Sequence, residues 1–101
     1  MTIIYKVRFR PRAEKAFKRL DFSKQQQLAR KLDERRRNPR VPADSVREIK
    51  DGYTIKLRAA GLRLIYQVRD NELVILVLAV AGREREEAYA EALREYRNLD
   101  P

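Results

Sequence analysis

Lys56, Arg58 and Arg63 are the side chains around which chemistry can first be argued. They lie in the run Tyr53 to Val68, whose polar and apolar residues alternate on either side of Ala60-Gly61. Read as a hairpin turning at Ala60-Gly61, the run pairs Leu57 with Leu64, Ile55 with Tyr66 and Tyr53 with Val68. Side chains alternate with period two, so these apolar pairs share one face. The other face carries Thr54, Lys56 and Arg58, with Arg63 directly opposite Arg58. A one-residue slip would exchange the faces, so a buried side fixes this register. Packing has no use for three cations on one patch of sheet; a polyanion does. Thr54 and Lys50 join Arg58 as candidates for phosphate contact.

Arg83 extends the set, because it follows the apolar run Leu73 to Ala81 directly after Gly82. If that run pairs with the hairpin through a turn at Asp70-Asn71, its C-terminal end lies beside Leu62 and Arg63. Arg83 then reaches the patch, with Tyr89 six residues further on. Four converging cations suit a phosphodiester, whose transition state gains negative charge. Each residue also has a plainer reading. Tyr89 shares a stripe with Leu93 and Tyr96 and could simply pack. Arg58 and Arg63 could pair with Glu48 or a C-terminal carboxylate. Arg83 could start a helix, although a cation there opposes the helix dipole.

The elements that would hold these groups can be read in order. Ile3 to Arg10 alternates as a half-buried strand, with Ile3, Tyr5, Val7 and Phe9 on one face. Pro11 suits a helix start, and Ala13, Ala16, Phe17 and Leu20 form a stripe at helical spacing. Ser23-Lys24-Gln25-Gln26 reads as a capping box opening a second helix, which Asn38-Pro39 ends. Arg30, Lys31, Arg35, Arg36 and Arg37 crowd its later turns. They suit the dipole there, or contact a nucleic acid. Val46 to Ile49 reads as a short strand, and Lys50-Asp51-Gly52 as a turn into the hairpin. Leu73 to Ala81 shows no alternation, which marks an interior strand covered on both faces. Arg83 to about Arg97 reads as a last helix, with Glu84, Glu86 and Glu87 at its start. Its stripe is Ala88, Tyr89, Ala92, Leu93 and Tyr96. The order predicts one α+β domain over 1–101. Its largely antiparallel sheet has four to five strands, with two N-terminal helices packed on one face and a C-terminal helix.

The totals narrow the partners. Twenty-four lysines and arginines face 15 acids, a formal charge of +9, which favours nucleic acid or an acidic protein. Cysteine and histidine are both absent, which removes disulfides, thiolate metal sites and the usual neutral-pH acid/base group. The first residues carry no apolar run of signal-peptide length, and the nine-residue run Leu73 to Ala81 is too short to span a bilayer as a helix. Neither a cofactor nor a membrane is expected.

The runs Tyr53 to Arg58, Gly61 to Val68 and Gly82 to Tyr89 closely resemble the RelE toxins of bacterial type II toxin–antitoxin systems. The likeness spans nearly the whole chain, including the element order and the Asn38-Pro39 stop. It implies a cytoplasmic ribonuclease that enters the ribosomal A site and cuts messenger RNA without a metal. The 2′-hydroxyl attacks the adjacent phosphate and leaves a 2′,3′-cyclic or 3′-phosphate end. In that family the site consists of a lysine pair on the first hairpin strand, an arginine on the second, an arginine after the last strand and a tyrosine on the following helix. Lys56, Arg63, Arg83 and Tyr89 match, and Arg58 is also in place. Thr54 replaces the first lysine, the usual general base, and threonine takes no proton at neutral pH. Lys56 is the candidate substitute, since neighbouring cations favour a neutral amine. Arg83 would protonate or neutralise the leaving 5′ oxygen, Arg58 and Arg63 would hold the phosphate, and Tyr89 would stack on or orient a nucleotide.

The implied partners are the ribosome, whose RNA Arg30, Lys31, Arg35, Arg36 and Arg37 would contact, messenger RNA and an acidic RelB-like antitoxin covering the basic patch. The toxin–antitoxin complex would bind its operator through the antitoxin. Two alternatives stand beside this: a DNA gyrase poison of the ParE branch, which generally lacks this constellation, and a ribosome or RNA binder weakened by the loss of lysine at position 54.

Overall fold

The computed structural model describes residues 3–82 and 87–99. Five strands form one sheet: β1 (Lys6–Phe9), β2 (Ser45–Val46), β3 (Gly52–Leu57), β4 (Leu62–Arg69) and β5 (Val74–Gly82). Their order is β1-β5-β4-β3-β2, antiparallel except that β1 runs parallel to β5. Helices α1 (Pro11–Arg19) and α2 (Phe22–Arg37) pack on one face, α3 (Glu87–Arg97) on the other. The α+β expectation of four to five strands with two N-terminal helices on one face holds.

β5 is an interior strand covered on both faces, as its unbroken apolar run foretold. Ile75, Val77 and Val80 join the core under α1 and α2, while Leu78 and Ala79 join the core under α3. Two consecutive residues face α3 because β5 carries an extra residue there: Ile65 pairs with Ala79, yet Tyr66 pairs with Val77. Leu78 is the bulged residue, and side-chain parity switches across it.

The hairpin differs from the sequence expectation in register but not in face. Lys56 pairs with Arg63, Ile55 with Leu64 and Tyr53 with Tyr66, two residues away from the predicted pairing. The loop is wider than a two-residue turn. Ala60 N–H donates to the Leu57 carbonyl and Gly61 N–H to that of Arg58, so Arg58 to Gly61 all lie outside the strands. Gly61 closes the loop at φ 65°, a conformation that costs glycine little. An even slip preserves both faces, so the apolar set stays inward. Arg58 moves into the loop, and the residue across from Arg63 is Lys56.

Other boundaries move for local reasons. β1 begins at Lys6 rather than Ile3 because its parallel partner there, Val74, is the first residue of β5; Ile3 and Ile4 are exposed. The N-cap of α2 is Asp21, whose carboxylate accepts from the Lys24 N–H at 3.0 Å, so the Ser23 capping box does not form. The Gln25 side-chain amide instead reaches the carbonyls of Phe17, Lys18 and Leu20 at the end of α1, adding to the Leu20 N–H that already donates to Phe17. β2 is the two residues Ser45–Val46, and Ile49 turns under Gly52 instead of extending the strand.

Arg35 ties α2 to the sheet. It donates to Asp44 Oδ2 at 2.7 Å, to the Tyr66 hydroxyl at 2.9 Å and to the Thr54 carbonyl at 3.3 Å. Tyr66, fully buried, passes the network on by donating to the Pro39 carbonyl at 2.7 Å. Burial raises the Tyr66 phenol above its ordinary range, with the Arg35 guanidinium pulling the other way. The folded state therefore holds this proton more tightly than the unfolded chain. That contribution is complete below about pH 10 and is lost as pH rises through the folded-state value. Tyr66→Phe is expected to reduce the loss of stability above pH 10. It should also cost about 1–3 kcal/mol at neutral pH, since the Pro39 carbonyl loses its donor. Urea unfolding at pH 7 and above pH 10 measures both; an unchanged alkaline slope would detach Tyr66 from it.

Candidate active site

Lys56 and Arg63 are directly opposed on β3 and β4, and Ala81 of β5 sits across Arg63 on its other side. Directly opposite side chains stand about 4.5–5.5 Å apart at Cβ, and like charges at that spacing oppose folding. Both side chains point to the α3 face, since their neighbours along the strands on that face, Thr54 and Ile65, pair with each other. Each is half-buried. Arg63 Nη1 donates to the Tyr89 hydroxyl at 3.2 Å, and its guanidinium carbon lies 5.5 Å from the centre of the Tyr89 ring. The contact is a cation–π pair with a hydrogen bond at its rim. α3 holds Tyr89 there because Ala88 and Ala92, its buried residues, bring the helix close to Ile65, Leu78 and Ala79.

Arg58, displaced into the loop, still belongs to the group. With Lys56, Leu57, Gly61, Leu62 and Arg63 it lines a hollow of about 100 Å³, room for one small anion. Among the described residues, none of Lys56, Arg58 and Arg63 forms an ion pair, so the proposed partnership with Glu48 is absent. Arg83 lies outside the described residues, as do Glu84 and Glu86.

Other candidates are not brought together with this group. Thr54 is only 3% exposed, and its hydroxyl finds no hydrogen-bond partner among the described residues. It pairs with Ile65 and is closed off from any phosphate at the surface. A buried hydroxyl without a partner destabilises, so Thr54→Val is expected to raise stability by about 1–2 kcal/mol and leave activity intact. Thermal unfolding checks the first part; a drop in activity at unchanged stability would return the hydroxyl to the site. Lys50 lies in the turn before β3 and Lys56 nearly ends the strand, so the stretch from Gly52 to Lys56, about 13 Å, stands between them. A roomier hollow, about 500 Å³, lies at the Lys50 end. Asp51 and Asp70 line it and oppose a phosphate, so the smaller cationic hollow is the better anion site.

The α2 cations divide. Arg35 is committed to Asp44 and Tyr66. Arg36 donates to the Tyr5 carbonyl and to Asp33, and Arg37 also binds Asp33. Arg30 and Lys31 remain exposed, without an ion-pair partner among the described residues. The reading of Arg35 as a ribosomal RNA contact is therefore corrected: its guanidinium is spent inside the fold. Sequence reasoning also passed over Ser45 and Arg47 and assigned Glu48 only as an ion-pair partner; with Tyr89 these three line a further hollow. No local motif marks them, since they meet Tyr89 only through tertiary packing.

A family model described as the ParE toxin of the type II toxin–antitoxin system parDE matches residues 7–87. The chain belongs to the RelE/ParE family of type II toxins. Within it, this toxin is 51% identical over 85 residues to a RelE-like toxin protein of Escherichia coli, covering 84% of this chain and 90% of that one. It is 42% identical over 90 residues to the mRNA interferase toxin RelE of Escherichia coli, covering 89% and 95% of the two chains. A double-arginine mutant of Escherichia coli RelE in the free state superposes with TM-score 0.85 at 40% identity, over 95% of this chain and 99% of that one. The toxin in the intact Escherichia coli RelBE toxin–antitoxin complex matches with TM-score 0.77 at 41% identity, over 80% and 99%. Relatives of the RelE branch thus accompany a family model that carries the ParE name.

Proposed function

We propose that this RelE-family toxin is a cytoplasmic mRNA interferase that cuts message in the ribosomal A site and is held inactive by an acidic RelB-like antitoxin. The observation that carries the reading is Lys56 set directly against Arg63, with Arg63 bonded to Tyr89. Folding alone gains nothing from that opposition, and an RNA phosphate relieves it. Relatives named mRNA interferase, and solved RelBE complexes, support the same reading.

In the reaction, the 2′-hydroxyl oxygen forms a bond to the adjacent phosphorus while the bond from phosphorus to the 5′ oxygen breaks. Lys56 takes the 2′-hydroxyl proton. Arg58 and Arg63 hold the non-bridging oxygens as their charge grows, and Arg83 neutralises or protonates the leaving 5′ oxygen. The Tyr89 ring stacks on a nucleotide and aligns attack, an effect that the ribosome reinforces by fixing the message in line. Thr54 contributes no base, so Lys56 alone stands at the 2′-oxygen.

The ParE name of the family model keeps gyrase poisoning as the second reading. Primer extension on message after induction separates them. Cuts in codon register support the interferase, DNA damage with intact message supports the gyrase poison, and stalled intact message would leave a binder without chemistry.

A further inference from the structure

The hollow beside Tyr89 measures about 440 Å³ and is lined among the described residues by Ser45, Val46, Arg47, Glu48 and Tyr89. It adjoins the cationic hollow through the Arg63–Tyr89 contact. A phosphate seated against Lys56 and Arg63 would therefore leave the attached base facing Tyr89 and the 45–48 segment. Glu48 is anomalous in that setting. It is exposed, and neither it nor Arg47 joins an ion pair among the described residues. A carboxylate beside an RNA backbone is repelled by every phosphate, so its useful partner is a hydrogen-bond donor. Unpaired bases present such donors on their Watson–Crick edges.

We infer that Glu48 is a specificity-determining residue that reads the base held on Tyr89 and selects guanine there. The inference rests on the interferase reading. Guanine presents two parallel donors, N1–H and the N2 amino group, which match the two oxygens of an ionised carboxylate. The other bases set an acceptor beside each donor on that edge, and an acceptor meets a carboxylate unfavourably. Arg47, adjacent in sequence, supplies donors for guanine O6 or N7.

The test uses ribosomes programmed with messages that vary the A-site codon, cut by the wild-type protein, Glu48→Gln and Glu48→Ala, with thermal unfolding as the check on folding. The wild type is expected to favour guanine at one codon position about tenfold, and both variants to lose that preference while still cutting. Three results overturn the inference and leave the interferase standing: no guanine preference in the wild type, an unchanged profile in the variants, or a uniform rise in cutting at every codon. The last would mean that Glu48 only repels phosphate. A wild type that leaves every message intact fails the interferase reading itself, and the inference with it.

Discussion

Arg63→Ala lowers cleavage of ribosome-bound message by about 10²–10³-fold while the protein melts no earlier than the wild type. The loss follows from position. Arg63 lies between Lys56 and Ala81 on the sheet and contacts Tyr89, so its removal takes away both a charge at the phosphate and the support of the stacking ring. The unchanged melting follows from the same place: truncation relieves a like-charge opposition with Lys56 and breaks no ion pair among the described residues. Arg63→Lys tests shape against charge. Lysine keeps the charge and loses the flat fork, so partial recovery is expected. Cleavage by Arg63→Ala at the wild-type rate, in a protein with wild-type melting, would remove the anion site from the mechanism.

Arg35→Ala is the opposite case, a basic residue whose loss unfolds the protein rather than disarms it. The Arg35 side chain is 13% exposed and meets Asp44, Tyr66 and Thr54. Removing it strands the Asp44 carboxylate, half-buried, and takes one donor from the Tyr66 hydroxyl. The expected cost is about 2–4 kcal/mol, a fall in melting temperature on the order of 10–20 °C for a chain of this size. Arg37→Ala, two residues on, touches only the exposed Asp33 and should leave melting nearly unchanged. Activity per folded molecule should stay near wild type in both variants. If Arg35→Ala melted like the wild type, the network would be a surface decoration and the residue free for RNA after all.

These two arginines also show what could be read from the chain beforehand. The faces of the hairpin were legible because period two is robust to an even slip: Ile55, Leu57 and Leu64 are buried whichever even register forms. The register itself was not, because it depends on whether the loop closes over two residues or four. That depends on backbone geometry around Gly61 rather than on polarity. The adjacency of Arg63 to the end of β5 was foreseeable from the tight turn at Asp70-Asn71, and it holds. The role of Arg35 was hidden because it is one of five cations crowded on α2. Only the return of the chain at Pro42–Asp44 supplies the acid that singles it out. Thr54 was misplaced for a related reason. A threonine on a face with two cations reads as polar surface until the opposing Ile65 and the buried α3 side are known.

Leu78 has an effect well beyond its own volume. Because it adds a residue to β5 alone, the strand behaves as two short segments half a pleat out of phase. The segment nearer β1 is timed to the N-terminal helices, and the segment ending at Gly82 is timed to the row holding Lys56 and Arg63. Were Leu78 paired in plain alternation instead of bulged, Ala79 would turn to the N-terminal helices and Val80 to α3, and the residues beside the Lys56–Arg63 row would fall on the wrong face.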